Sequence, residues 1–116
     1  MKELVTEAGF GFEEHQVTTE DGYILTMHRV VSKYLKKDAP VIIMQHGLLA
    51  SSDGWTANGP KESPAFKFAN AGYDVWLGNN RGNYHSRKHV TLDPKEDEEE
   101  FFTYSFVELG KYDLPA

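Results

Sequence analysis

The feature that most constrains the fold is the run Val41-Ile42-Ile43-Met44, which ends in Gln45-His46-Gly47. The run is continuously apolar rather than alternating, the pattern of a strand buried on both faces, as in a parallel sheet with helices on each side. Ser63-Pro64 then reads as a helix start, with Ser as N-cap and Pro at the first helical position. Phe66, Phe68 and Ala69 supply an apolar helix face, and Gly72 is a natural C-terminal stop. Tyr73 to Leu77 follows at once as a second buried strand. Strand, helix and strand make one βαβ unit with parallel strands, so the fold class is α/β.

The flanks fit around that unit. His15 to Val31 reads as a β-hairpin, with Val17 and Thr19 alternating into the turn Thr19-Glu20-Asp21-Gly22. Tyr23, Leu25 and Met27 then share one face, and Asp-Gly between β-prone runs is a strong hairpin signal because Gly accepts positive φ. Lys33 to Asp38 is a polar loop, and Gly78 to Asp93 is irregular and polar. Asp93-Pro94 predicts a helix start, with the acidic run Glu96 to Glu100 in its first turns, where carboxylates favour the positive end of the helix dipole. Ser105-Phe106-Val107-Glu108 fits a capping box for a short helix interrupted by Gly110. Asp113 to Ala116 reads as the opening turn of a helix that is cut off, so residues 1–116 are expected to be a single truncated N-terminal part of a larger domain.

Composition removes several function classes. The 116 residues carry a net charge of −6 with no evident basic face, which argues against nucleic-acid binding. With no cysteine there is no disulfide framework, Cys-based zinc site or thiol nucleophile. The longest aliphatic stretch, Val41 to Met44, is far too short to span a bilayer. Met1-Lys2-Glu3-Leu4-Val5 lacks the basic and apolar regions of a signal peptide, so the compartment stays open.

The segment richest in chemistry is Gln45-His46-Gly47-Leu48-Leu49-Ala50-Ser51-Ser52. It lies at the carboxyl end of a buried strand, where open α/β sheets place their ligand sites. His-Gly there serves an oxyanion hole, because Gly removes a side chain that would block a substrate carbonyl. An ordinary tight βα turn has the same sequence, and spacing alone leaves both readings open.

Three segments resemble the acid-lipase family of gastric and lysosomal lipases: Val17 to Leu25, Gln45 to Ser51, and Ala71 to Asn79 with its extension Asn80-Arg81-Gly82-Asn83. Tyr104-Ser105-Phe106 and Lys111 to Ala116 are similar to it as well, and all occur in the family's order over nearly the whole chain. The resemblance implies the N-terminal part of an α/β-hydrolase fold. It also implies hydrolysis of triacylglycerols or steryl esters in lipid metabolism through a Ser, Asp and His triad, with no metal or organic cofactor. Members are often secreted or lysosomal. Carried over by position, the oxyanion-hole donor is the backbone N–H of Leu48, with His46 and Gly47 shaping its loop. Gly-x-Ser-x-Gly does not occur, and by family order the nucleophile, Asp and His are not among these residues; His46 is not the triad histidine. The chain alone is therefore expected to be inactive. In the family's sheet the strand Val41 to Met44 lies beside the nucleophile strand; without that neighbour its aliphatic faces are exposed.

Weaker signals are set aside. His85 and His89 stand four apart, but Ser86 occupies the position where a zinc-protease helix has Glu, and Arg87 and Lys88 disfavour a cation. Gly78 to Gly82 lacks the Gly-Lys-Ser/Thr ending of a phosphate loop, and the acidic run lacks the alternation of a calcium loop. Trp55 and Trp76 read as core or loop-packing residues. The competing function is a non-catalytic lipid- or protein-binding module on the same fold, and a third is a complete small α/β binding domain.

Overall fold

The computed structural model describes residues Met1–Ala116. A five-stranded sheet has the order β1-β2-β4-β3, with β5 added to β2. Helix α1 (Lys2–Glu7) precedes β1 (Gly11–Thr18) and β2 (Tyr23–Val31), the antiparallel hairpin. β3 (Val41–Met44) runs parallel to β4 (Asp74–Leu77), with a 3₁₀ turn (Ser52–Trp55), α2 (Gly59–Glu62) and α3 (Pro64–Asn70) between them. β5 (Lys88–His89), α4 (Glu98–Phe101) and α5 (Phe106–Glu108), which continues as a π-turn (Leu109–Asp113), complete the chain. The expected order of hairpin, βαβ unit and helices is the observed one.

The hairpin begins at Gly11, four residues before the expected start. Its turn works as the Asp-Gly signal requires: Gly22 has φ +96°, and a Cβ there would meet His89 at 2.8 Å. The Thr19 N–H donates to the Tyr23 carbonyl (2.8 Å), and the Thr19 hydroxyl accepts from the Tyr23 N–H (2.9 Å).

Helix α3 ends in a Schellman motif. Gly72 (φ +95°) donates to the Ala69 carbonyl and Tyr73 to that of Phe68, while the Phe68 and Tyr73 rings meet edge to face at 5.9 Å. That contact turns Phe68 outward, and Ala65 takes its expected place on the buried face beside Phe66 and Ala69. Ser63 stands at the N-cap, but its hydroxyl makes no capping bond and is buried without a partner.

The sheet is covered on both faces at β2. On one, α1 and α3 bury Val5, Phe10, Val30, Met44, Phe66 and Val75, and Phe10 stacks on Phe66 at 4.6 Å. On the other, Tyr23 and Leu25 pack against Phe101 of α4. Strand β2 is thus buried on both faces, with Thr26, His28 and Val30 opposite the expected Tyr23 and Leu25. β3 differs from the two-sided burial its composition suggested: Val41 and Ile43 are more than half exposed, because they point to the face opposite α1 and α3, which α4 covers only over β2.

Three local expectations change. The segment Gly78 to Asp93 is not wholly irregular, since Lys88 and His89 form β5 against Ile24 and Tyr23; His85 and His89 therefore do not share a helix. Asp93 caps a turn, its carboxylate accepting from the Lys95 and Glu96 N–H groups, and the regular helix starts only at Glu98. The Ser105/Glu108 capping box forms as expected, but the helical stretch is not interrupted at Gly110 and runs on through it to Asp113.

The Asp113 carboxylate is taken up by Arg81. The Arg81 Nε donates to Asp113 Oδ1 (2.7 Å), its backbone N–H to Oδ2 (2.9 Å), and its Nη atoms fork onto Asp21 (2.6 and 2.8 Å). The guanidinium lies 3.9 Å from the centre of the Tyr23 ring. Burial pushes the Asp113 carboxyl above its usual range despite the pairing. Burial acts the same way on the less enclosed Asp21, but hydrogen bonds from Arg81 and Thr19 outweigh it and hold that carboxyl low.

Removing the cation strands two carboxylates, one of them buried. Arg81→Met is expected to destabilise the fold by about 3–5 kcal/mol, read as a lower urea midpoint. Asp21, Asp53 and Asp74 are all held below the ordinary aspartate value of 3.8, so as pH falls the unfolded chain takes up their protons first. Stability is present above that value and is lost as pH drops through the depressed ones; Asp113, shifted the other way, offsets a part. Thermal melts between pH 6 and pH 2 check the direction, and a constant melting temperature across that range would contradict it.

Candidate functional site

The loop after β3 is built on a gap in β2. β4 pairs with β2 at His28–Val30 and β5 at Tyr23–Ile24, which leaves Thr26 between them without a strand partner on that edge. Buried backbone groups need partners, and side chains from the segment after β4 supply them. Ser86 Oγ accepts from the Thr26 N–H (3.0 Å), and Asn79 Nδ2 donates to the Thr26 carbonyl (3.0 Å). Ser86 Oγ donates onward to the Asn79 carbonyl (3.0 Å).

Asn79 reaches the β3 loop from there, since its Oδ1 accepts the Ser52 N–H (3.0 Å) and the Asn83 side-chain amide (2.9 Å). Asn83 is oriented by its own Oδ1, which accepts the His85 and Ser86 N–H groups, both at 3.0 Å. At the other end of the loop His46 Nε2 accepts the Asn80 N–H and the Asn83 amide, each at 3.0 Å, while Nδ1 lies 2.8 Å from the Gly47 carbonyl. The loop is pinned at both ends.

Between the pins the chain is tight and open to solvent. The Ala50 N–H donates to the Gly47 carbonyl (3.3 Å), closing a turn whose third residue, Leu49, is the only non-glycine with positive φ (+58°). A positive φ at that position alone is the pattern of a type II turn, normally reserved for Gly or Asn. The N–H groups of Gly47, Leu48 and Leu49 donate to no protein acceptor, and the Leu48 and Leu49 side chains are over 90% exposed. Beside them lies a groove of 350 Å³ lined by Leu48, Leu49, Tyr104, Phe106 and Leu109.

Leu48, His46 and Gly47 are therefore brought together as one loop. Sequence reading missed the residues that hold it: Asn79, Asn83, Ser86 and Ser52. A usable signal was present in three asparagines within the six residues after β4, since short amides at a strand end are suited to bonding stray backbone groups. Of the two histidines set aside, His85 bonds Asp53 (2.8 Å) and His89 lies 3.0 Å from the Asp21 carbonyl oxygen. Trp55 packs against the main core, and Trp76 lies under Arg29 and beside His15.

One constellation mimics a nucleophile and its base. Ser52 Oγ lies 3.0 Å from His28 Nδ1, and Glu14 is 3.4 Å from the other ring nitrogen. Ser52 and His28 are both fully buried, so no ester carbonyl reaches the hydroxyl. Burial, with the neighbouring His85, pushes the His28 imidazole down against the opposing pull of Glu14. The pair serves packing.

Asn79→Leu leaves the Ser52 N–H and the Thr26 carbonyl without partners inside the protein. The expected loss is about 2–4 kcal/mol in chemical denaturation. A loss below 0.5 kcal/mol, as for an ordinary surface change, would show that the network is not needed.

Residues 1–59 match the family model described as a partial alpha/beta-hydrolase lipase region, and residues 40–112 match that of the alpha/beta hydrolase fold. Lipase 1 of Drosophila melanogaster is 53% identical over 97% of this chain and 24% of its own length. Human gastric triacylglycerol lipase is 48% identical and human lysosomal acid lipase/cholesteryl ester hydrolase 47%, each over the whole chain and 30% of the relative. The chain thus spans less than a third of the length of these relatives. Among solved structures, a hypothetical protein from Pseudomonas aeruginosa superposes with a TM-score of 0.55 at 15% identity, over 86% of this chain and 31% of that one, which reflects the shared fold.

Proposed function

Because the chain belongs to the α/β-hydrolase lipase family, we propose that it is the N-terminal part of a lipid-ester hydrolase and supplies the Leu48 N–H to its oxyanion hole. The observation that carries this reading is the loop itself. An unpaired N–H, held in a pinned turn at the carboxyl end of a sheet strand, faces solvent beside an apolar groove. Such a donor stabilises charge that develops on a carbonyl oxygen as a tetrahedral intermediate forms, and it does so without reorganising. The groove's leucine and aromatic lining suits the acyl chain of a triacylglycerol or steryl ester, the substrates named for the human relatives.

The chain holds one half of this device. No serine here stands in a Gly-x-Ser-x-Gly elbow, and Ser52, the serine nearest a histidine, is sealed in the core. The 116 residues alone are accordingly inactive in this reading, with nucleophile, base and second oxyanion donor supplied from elsewhere in a complete hydrolase.

In the complete hydrolase Leu48→Pro, which removes the N–H, is expected to lower kcat on the order of a hundredfold or more. Leu48→Ala, which keeps it, should cost far less. Full activity in a normally folded Leu48→Pro enzyme would end the assignment. The isolated chain should not hydrolyse a short-chain nitrophenyl ester, and turnover abolished by a serine-directed phosphonate would contradict its inactivity.

A further inference from the structure

The direction of the Leu48 N–H is set two residues away from the atom itself. A trans peptide is planar, so the Gly47 carbonyl and the Leu48 N–H point in opposite directions from one rigid unit. All peptide bonds in the structure are trans. Whatever holds the Gly47 oxygen therefore aims the Leu48 hydrogen. Two groups hold that oxygen: the Ala50 N–H (3.3 Å) and His46 Nδ1 (2.8 Å). The first is the longer, and it closes a turn with Leu49 in a conformation that a branched side chain resists. The imidazole is the stronger anchor.

That anchor works in one tautomer only. Nδ1 must carry the proton to donate to the Gly47 carbonyl, which leaves Nε2 as a bare acceptor. Nε2 is kept bare by what faces it: the Asn80 N–H, an obligate donor, and the Asn83 amide, both at 3.0 Å. The Asn83 side chain cannot be turned round to present its oxygen, because that oxygen already accepts the His85 and Ser86 N–H groups.

We propose that Asn83 is a positioning residue for the oxyanion loop, acting through His46: its side-chain amide, together with the Asn80 N–H, holds the Nδ1–H tautomer, and the imidazole then locks the Gly47–Leu48 peptide. The proposal rests on the assignment of Leu48 as oxyanion donor for its catalytic meaning, but not for its geometry. Asn83 touches no substrate. Its effect is on whether the donor is already aimed before the substrate arrives, which is where preorganised hydrogen-bond donors gain their advantage over water.

The test uses ¹⁵N-histidine labelling and long-range proton–nitrogen spectra of the folded protein, which separate the two imidazole tautomers. In the unmodified chain His46 should show a protonated Nδ1 and an unprotonated Nε2; a protonated Nε2 overturns the proposal without any variant. Asn83→Asp keeps the oxygen that accepts from His85 and Ser86 but sets a second oxygen against Nε2. It should move the proton to Nε2 or protonate both nitrogens, and shift the Leu48 amide resonance. An unchanged tautomer and Leu48 resonance in a folded Asn83→Asp protein also overturns it. In the complete hydrolase, Asn83→Asp should lower kcat about tenfold or more with KM little changed, a sign of lost transition-state stabilisation. A spectral change with intact kcat would refute the positioning role. Full activity of Leu48→Pro, by contrast, refutes the oxyanion assignment and leaves the spectral prediction to be met on its own.

Discussion

The architecture around the site depends on one unpaired residue in the middle of a strand. β2 carries β1 along one edge, but the other edge is shared between β4 and β5, and Thr26 falls between them. A buried peptide group without a partner destabilises a fold by about 1–3 kcal/mol, so the segment that follows β4 cannot wander. It must bring Asn79 and Ser86 back to Thr26, and it is thereby held against the loop after β3. The site is a by-product of completing the hydrogen bonds of the sheet.

Two kinds of polar interaction share the work in that segment. The asparagine network is neutral and satisfied by backbone groups, so it gives direction without the desolvation penalty of ions. Arg81, in the middle of the same run, does the opposite: it buries a full charge and meets it with Asp21 and Asp113. The fork ties the hairpin turn to the last helical stretch, with Tyr23 under the guanidinium and the Tyr104 hydroxyl donating to the Arg81 carbonyl (2.8 Å). Tyr104 also excludes a side chain at Gly82, whose φ of +81° already favours glycine. The ion pairs place the walls of the groove, and the amides place the loop that borders it.

Several large apolar side chains are exposed around the sheet edge and the loop. Val41 and Ile43 face solvent at the β3 edge, Leu48 and Leu49 at the loop, and Phe106 across the groove. An isolated edge of that kind is a pairing surface.

Much of this was legible in the sequence because it depends on local chemistry. Asp21-Gly22 specified the hairpin, Gly72 the end of α3, Ser105 and Glu108 a capping box, and the apolar runs at Val41 and Tyr73 the parallel strand pair. Each rests on a conformation or a bond within a few residues. His46, Gly47 and Leu48 were legible as a loop because they follow a buried apolar strand, and as a candidate site only through the family likeness of their surroundings. What pins that loop was not legible. β5 joining β2, and Asn79 and Asn83 reaching Ser52 and His46, depend on elements meeting across long stretches of chain. A sequence states which groups need partners, while only the tertiary structure decides which distant residue meets the need, because that choice is made by where the sheet leaves its gap.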